Sequence, residues 1–372
     1  MFLEGRARII RNRVINPPPI VRLILLLSLL YAFFVSISLM GASFKFFGKG
    51  FAQQLLTTTS NPFTGLFIGI LATSLVQSSS TITSMVVGLV AGGALTVSGA
   101  IPIVIGSNIG TSVTNTLVSI GHISRPKEFR RAFAAATIHD FFNLIAVVIL
   151  FPLQLLTNFL GDASAFMATQ FANAGGMKLL NPLKMIVSPA VKFITLTTHE
   201  SGVLMLIISV ILLFIALRFI VVNLRALVIG KVEQFFDKTL FKNSLRAMLL
   251  GVGLTVMVQS SSITTSLCVP LAGARILTLK QIFPFALGAN VGTTITAMLA
   301  SLVTADPAAV TVAFAHLLFN VTGIIIIWPM RRLPIHLSER LASASIRSRF
   351  VPVLYILIVF FLIPIALISL TR

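Results

Sequence analysis

Apolar residues in this chain come in long runs, and the polar residues among them come as repeated short words. Residues 20–42, 132–156, 203–222, 308–330 and 351–370 are almost wholly apolar. Each is close to or above the ~20 residues that carry a helix across a bilayer. They are too long and too uniform for the roughly ten-residue alternating strands of a membrane barrel, so the pattern predicts an all-α integral membrane protein. The words fall in other apolar stretches. Residues 74–84 read SLVQSSSTITS and residues 256–266 read VMVQSSSITTS.

Sliding the chain by 182 positions places Gln77 on Gln259, Asn61 on Asn243, Gly69 on Gly251 and GSNIGT (106–111) on GANVGT (288–293). About 20 of the 54 positions in this window are identical, the mark of an internal duplication. Beyond it the offset becomes 177 and aligns HDFFN (139–143) with HLLFN (316–320). Each half therefore carries QSSS, then G-x-N-x-G-T, then H-x-x-F-N.

Composition bears on orientation more than on chemistry. The chain has 372 residues, 56% hydrophobic and 10% charged, with a net charge of +19. The positive charges lie between apolar runs, at the N-terminus and in 125–131, 225–246 and 331–349, and no basic–aromatic groove motif points to nucleic acid. The positive-inside rule puts these segments in the cytoplasm and the Lys-poor 157–199 outside. The Arg-rich start followed by an apolar stretch is expected to be an uncleaved first span rather than a signal peptide. On this plan repeat one enters QSSS from outside and repeat two from inside, so the copies are inverted, as in secondary transporters with midplane sites. The expected divisions are a cytoplasmic segment 1–19, repeat one 20–156, an extracytoplasmic connection 157–199, inverted repeat two 200–330, and a cytoplasmic loop with a C-terminal hydrophobic helix 331–372. Cys268 is the lone cysteine, so the chain has no internal disulfide. No Cys/His metal spacing, Walker loop, nucleophile elbow or zinc-protease pair appears, so no enzymatic activity is expected.

An unpartnered amide or hydroxyl in hydrocarbon costs several kcal/mol. QSSS is therefore expected at a helix break that lines a protein cavity, the two legs forming a re-entrant hairpin. The leg that starts at the break offers free N–H groups and a positive dipole end, which suit an oxyanion. The leg that ends there offers free carbonyls, which with Gln, Ser and Thr oxygens suit a hard cation such as sodium. In the second word the glycines allow a break or close approach to a ligand, while Asn108, Thr111, Asn290 and Thr293 supply oxygens; the plainer reading is tight helix packing. The third word, with His139, Asp140 and Asn143 in one copy and His316 and Asn320 in the other, reads chiefly as structural, Asp140 having Leu317 as its counterpart.

The paired QSSS words, with QSSSITTSLCVPLAG followed by LTLKQIFPFALGANVGTTITA and IPIVIGSNIGTSVTNTL followed by EFRRAFAAATIHDFFN, resemble the type II sodium–phosphate cotransporters, bacterial members included. The resemblance covers roughly 60–156 and 240–330. It implies symport of inorganic phosphate with co-transported sodium by alternating access in a multi-pass cell inner (plasma) membrane protein with a cytoplasmic N-terminus. It implies phosphate binding at Gln77, Ser78, Ser79, Ser80, Ser260, Ser261, Ser262, Asn108, Thr111, Asn290 and Thr293. Sodium would take Gln77, Ser84, Asn108, Gln259, Ser260, Ser262, Thr265, Ser266 and Asn290. Electrogenic members carry an aspartate after the first QSSS; here 90–94 has no carboxylate, which is similar to electroneutral members. The short, cysteine-free outer connection resembles prokaryotic members. Many bacterial members carry a C-terminal PhoU-type domain; with the last apolar helix at the end of this sequence, that control is expected to be absent or supplied by a separate PhoU-like regulator, and homo-oligomerisation is open. Rival readings are a carrier for another oxyanion such as sulfate or arsenate, a passive anion channel, or a non-transporting sensor.

Overall fold

The computed structural model describes residues 18–47, 57, 59–229, 241, 243–348 and 350–371, and every regular element among them is helical. The N-terminal arginines Arg6 to Arg13, and Lys231, Lys238 and Lys242, on which part of the orientation rests, lie outside the described residues. Among the described residues, seven helical segments are long and apolar enough to cross a membrane, including all five runs read from hydropathy and two, 97–120 and 279–304, that carry the second word.

Helix α1 (Pro19–Phe44) opens with a proline at its first position, where a missing N–H costs nothing. The first QSSS lies between α2 (Pro62–Val76) and α3 (Ser79–Ala91). The second lies between α10 (Ser244–Val258) and α11 (Ser261–Ser266), which α12 (Cys268–Gly273) follows. At ~1.5 Å per residue, none of these reaches the ~30 Å of a hydrocarbon core. Asn61 and Asn243 start the two first legs alike, each side chain accepting a backbone N–H two residues on, from Phe63 and Leu245.

The second word forms α4 (Val97–Gly110) and α5 (Val113–Ile120) in repeat one, but in repeat two it sits inside one continuous helix, α13 (Leu279–Thr304). The glycines of the second word allow a break in either copy, and here only the first has one. In repeat two the glycines serve helix packing instead. A Cβ on Gly288 would run into the Met248 carbonyl and one on Gly251 into the Phe285 carbonyl. Gly106 and Gly69 meet the Leu66 and Ile103 carbonyls in the same way. So α2 lies against α4, and α10 against α13, at backbone contact, as small-residue pairs allow in membranes. Repeat two places its additional break at Leu267. Pro270 has no N–H to offer the Ser266 carbonyl, and its counterpart Gly88 leaves α3 continuous.

The third word lies in α6 (Pro126–Thr157) and α14 (Pro307–Ile327). The connection 157–199 is itself helical, as α7 (Phe159–Asn173) and α8 (Gly176–Thr197), and leads to α9 (Gly202–Ile229). An amphipathic α15 (Arg332–Arg347) packs on α6. The last span runs as α16 (Val351–Leu357), a π-helical turn (Ile358–Leu362) and α17 (Ile363–Thr371). Pro352 and Pro364 do not end it: one lies in the first turn, and the other follows the π turn, where Ile363 N–H bonds Ile358 O.

Candidate functional site

The two QSSS words fold to the same backbone. Gln77 (φ 56°, ψ 30°) and Gln259 (φ 55°, ψ 28°) are left-handed and end their helices, their N–H groups bonding Thr73 O and Thr255 O at 2.7 Å. A left-handed glutamine is uncommon and costs about 1 kcal/mol. Ser78 and Ser260 are extended and cap the next leg, accepting from Thr81 N–H at 3.2 Å and Ile263 N–H at 3.3 Å. The left-handed residue followed by an extended one ends one helix and starts the next within two positions.

The side chains differ between the copies. Gln259 is held, its Nε2 donating to Val256 O at 2.7 Å and its Oε1 accepting from Thr296 at 2.8 Å. Gln77 is exposed and has no such partner among the described residues, while Thr114, the counterpart of Thr296, is half-buried with its hydroxyl buried and unpartnered. Ser262 donates to Thr111 O in the other repeat at 3.2 Å. That carbonyl is free because α4 breaks there: Asn115 N–H bonds Ser112 O instead. Ser79, Ser80 and Ser261 are buried as residues, yet their hydroxyls make no hydrogen bond among the described residues and are not sealed off like those of Thr73, Ser84 and Thr255.

The remaining expected residues divide into two groups. Asn115 Nδ2 donates to Thr265 at 2.9 Å, again across the repeats. Ser266 bonds Ile263 O at 2.8 Å, and Thr111 and Thr293 bond the carbonyls of Ser107 and Ala289 four residues back. Ser84 is buried without a partner.

Asn108 and Asn290 sit elsewhere, in a buried knot with the third word. Asn290 Oδ1 accepts from His139 Nε2, and its Nδ2 donates to Asn143 Oδ1 at 2.8 Å. Asn143 Nδ2 donates to Asn108 O at 2.8 Å. In the reciprocal half, His316 Nε2 lies 3.4 Å from Asn108 Oδ1. The third word of each repeat thus reaches the second word of the other, a pairing that spacing along one chain does not reveal.

Two features escaped the sequence reading, and a third, Asp140, was read there as chiefly structural. Thr73 and Thr255, one turn before the glutamines, are equivalent, fully buried and unpartnered. Asn115 joins the two halves. Asp140 is fully buried, accepts from Tyr355 Oη at 2.9 Å, and leaves its second oxygen unpartnered beside the Ser112 hydroxyl. Intramembrane carboxylates are costly and mark functional positions by default, a signal that was visible in the sequence. The electroneutral expectation rested on 90–94, which lies at the end of α3, whereas the buried carboxylate of repeat one is Asp140. No group of three or more His, Cys, Asp or Glu gathers among the described residues. An ion here would be held mainly by neutral oxygens.

A helical multi-span protein with paired polar helix breaks belongs to the class whose sites are built from discontinuous helices. Residues 32–178 and 212–332 match the Na+/Pi-cotransporter family, and the chain belongs to that family. It is 33% identical over 449 residues to sodium-dependent phosphate transport protein 2B of Homo sapiens, covering 94% of this chain and 65% of that protein. It is 33% identical over 422 residues to sodium-dependent phosphate transport protein 2A of Rattus norvegicus, covering 91% of this chain and 66% of that one. The chain thus spans about two thirds of the length of these curated relatives. No solved structure matches it.

Proposed function

We propose that the chain is a sodium-coupled symporter of inorganic phosphate, binding both substrates at the paired QSSS breaks near the membrane midplane and working by alternating access. The observation that carries this is the pair of Gln–Ser breaks with three unpartnered hydroxyls on largely buried residues, Ser79, Ser80 and Ser261. Serine hydroxyls and the free N–H groups opening α3 and α11 suit a tetrahedral oxyanion. The carbonyls ending α2 and α10, with Thr73, Thr255 and Ser84, suit sodium. The relatives named above are sodium-dependent phosphate transport proteins. The two repeats are inverted in this reading, each QSSS pair forms a re-entrant hairpin, and the protein lies in the plasma (inner) membrane with its N-terminus in the cytoplasm.

Unequal ties at the two breaks fit alternating access. Repeat two's leg is fastened to repeat one through Ser262 and Thr265, while repeat one's Ser80 and Gln77 are untied. The opposite state would loosen the first set, and the free hydroxyls would then close on the anion from the other side.

Labelled-phosphate uptake into proteoliposomes tests the reading, with an inward sodium gradient compared against potassium and with sulfate as competitor. Concentrative uptake in sodium alone, unaffected by sulfate, is expected. Equilibrating flux in either salt would make the protein a channel, sulfate competition would widen its substrate, and binding without flux would make it a sensor. Asp140→Asn keeps an acceptor for Tyr355 but removes the buried carboxylate. It is expected to raise the half-saturating sodium concentration about tenfold, roughly 1.4 kcal/mol of lost ion binding. An unchanged sodium dependence would take Asp140 out of the ion path. Parallel current recordings read whether charge moves with transport.

A further inference from the structure

The turns that end the second legs of the two QSSS units have the same backbone but different residues. After α3, Gly93 is left-handed (φ +72°), with Gly93 N–H bonding Val90 O and Ala94 N–H bonding Leu89 O, both at 2.9 Å. After α12 the equivalent bonds run from Arg275 to Ala272 (3.0 Å) and from Ile276 to Leu271 (2.9 Å), with Arg275 left-handed (φ 62°). A helix-ending turn of this kind favours glycine. Repeat two carries an arginine where repeat one carries the residue the geometry prefers. A strained residue that persists points to a use for its side chain.

Arg275 lines a cavity of about 630 Å3 between the first turns of α6, the turn after α12, and α15. Lys127, Arg130 and Arg131 line it as well, against the single carboxylate Glu339. Arg131 fixes the wall, its Nε donating to Gly273 O at 2.9 Å, so its guanidinium closes the free carbonyl end of α12. Nearby, Glu128 is taken by Arg125 at 2.9 Å and faces His122 at 3.6 Å. Lys127, Arg130 and Arg275 therefore have no carboxylate within ion-pair distance among the described residues. Leu277, Leu279 and Ile346 give the cavity an apolar side, beside the neutral Thr278. Between spans α14 and α16, α15 and the residues after it expose Leu333, Ile346 and Phe350 (74%), side chains suited to the bilayer surface.

We propose that this cavity is a second anion site, distinct from the QSSS breaks, that binds a phosphate-bearing group. Planar guanidinium groups with no carboxylate partner match phosphate oxygens, and basic cavities beside spans take anionic headgroups. The group comes either from an anionic phospholipid, with its glycerol end against Leu279 and Ile346, or from free phosphate. Placing the cavity on the cytoplasmic side rests on the charge-based orientation, whereas binding itself does not.

The test uses the full chain, purified and lipid-depleted, and reads its melting temperature while dioctanoyl phosphatidylglycerol or inorganic phosphate is titrated in potassium medium. At least one probe is expected to stabilise the protein, with the Arg130→Gln/Arg275→Gln variant needing at least tenfold more of it. A response to the lipid alone assigns a headgroup site, and a response to phosphate alone, or to both probes, assigns a site for the phosphate group itself. Half-saturation that the variant leaves unchanged for both probes overturns the proposal. Arg275→Gly supplies an independent check. It relieves the left-handed strain, so its melting temperature without probe is expected to equal or exceed wild type while its response to the active probe weakens. Lower stability with an unchanged probe response would make Arg275 structural and overturn the proposal.

Discussion

The two QSSS breaks share a backbone to within a few degrees at each glutamine, yet only one of them is tied down. In repeat two, Gln259 is held from both ends of its amide, Ser262 takes a carbonyl of the other repeat, and Thr265 meets Asn115. In repeat one, Gln77, Ser80 and Thr114 lack the corresponding bonds, and the position equivalent to Asn115 in repeat two is Ala297. The local word therefore sets the shape of the break, and the partners across the repeat boundary set how firmly it is held. In the proposed alternating-access reading, the tied and the untied break would exchange these conditions.

That comparison can be attacked in order of expected effect. Gly288→Leu puts a side chain into the Met248 carbonyl and should cost about 3 kcal/mol or prevent folding, read as loss of a monodisperse peak and of the unfolding transition. Gly106→Leu should do the same in repeat one, against Leu66. A mild effect at one site only would mean that the two crossings are not equivalent.

The buried asparagines come next. Asn290→Ala strands both His139 Nε2 and Asn143 Oδ1 and should cost about 3 kcal/mol in thermal or denaturant unfolding. Asn108→Ala gives up only the 3.4 Å contact to His316 and a bond to Val104 O, so about 1 kcal/mol is expected. Equal losses would remove the asymmetry. At the breaks themselves, Ser262→Ala should cost about 0.6–1 kcal/mol, the range for one hydrogen bond between membrane helices. Ser80→Ala should stay within about 0.5 kcal/mol. One further effect has the opposite sign. Gly253→Ala meets nothing within 4 Å and should gain up to about 1 kcal/mol of helix propensity, in contrast to Gly251 two residues earlier.

Much of this was legible from residue order alone. Long apolar runs located the spans, because a bilayer imposes length. The repeated QSSS located the breaks, because four adjacent polar side chains cannot remain in an apolar helix without a cavity or partners. The glycines of the second word were harder to read. Gly106, Gly110, Gly288 and Gly292 fit either a break or close helix packing, and which neighbour each approaches depends on tertiary placement. The continuity of α13 against the break between α4 and α5 was not readable, since GTSVT and GTTIT differ only by conservative exchanges. Pro270, with no N–H for the Ser266 carbonyl, marks the break at Leu267 in the sequence itself. The histidine–asparagine knot was missed because its partners are about 150 residues apart in sequence and meet only when the repeats interlock. It also places Asn108 and Asn290, expected among the ligands, in bonds within the protein.

The most direct measurement is equilibrium binding of labelled phosphate to the purified protein, in sodium and in potassium, for wild type, Ser79→Ala and Ser261→Ala. If the two breaks build one shared site, wild type binds in sodium only. Each single variant then loses at least tenfold in affinity while keeping its melting temperature. Wild-type affinity in both variants, or a loss confined to one of them, would contradict a site made by the paired words.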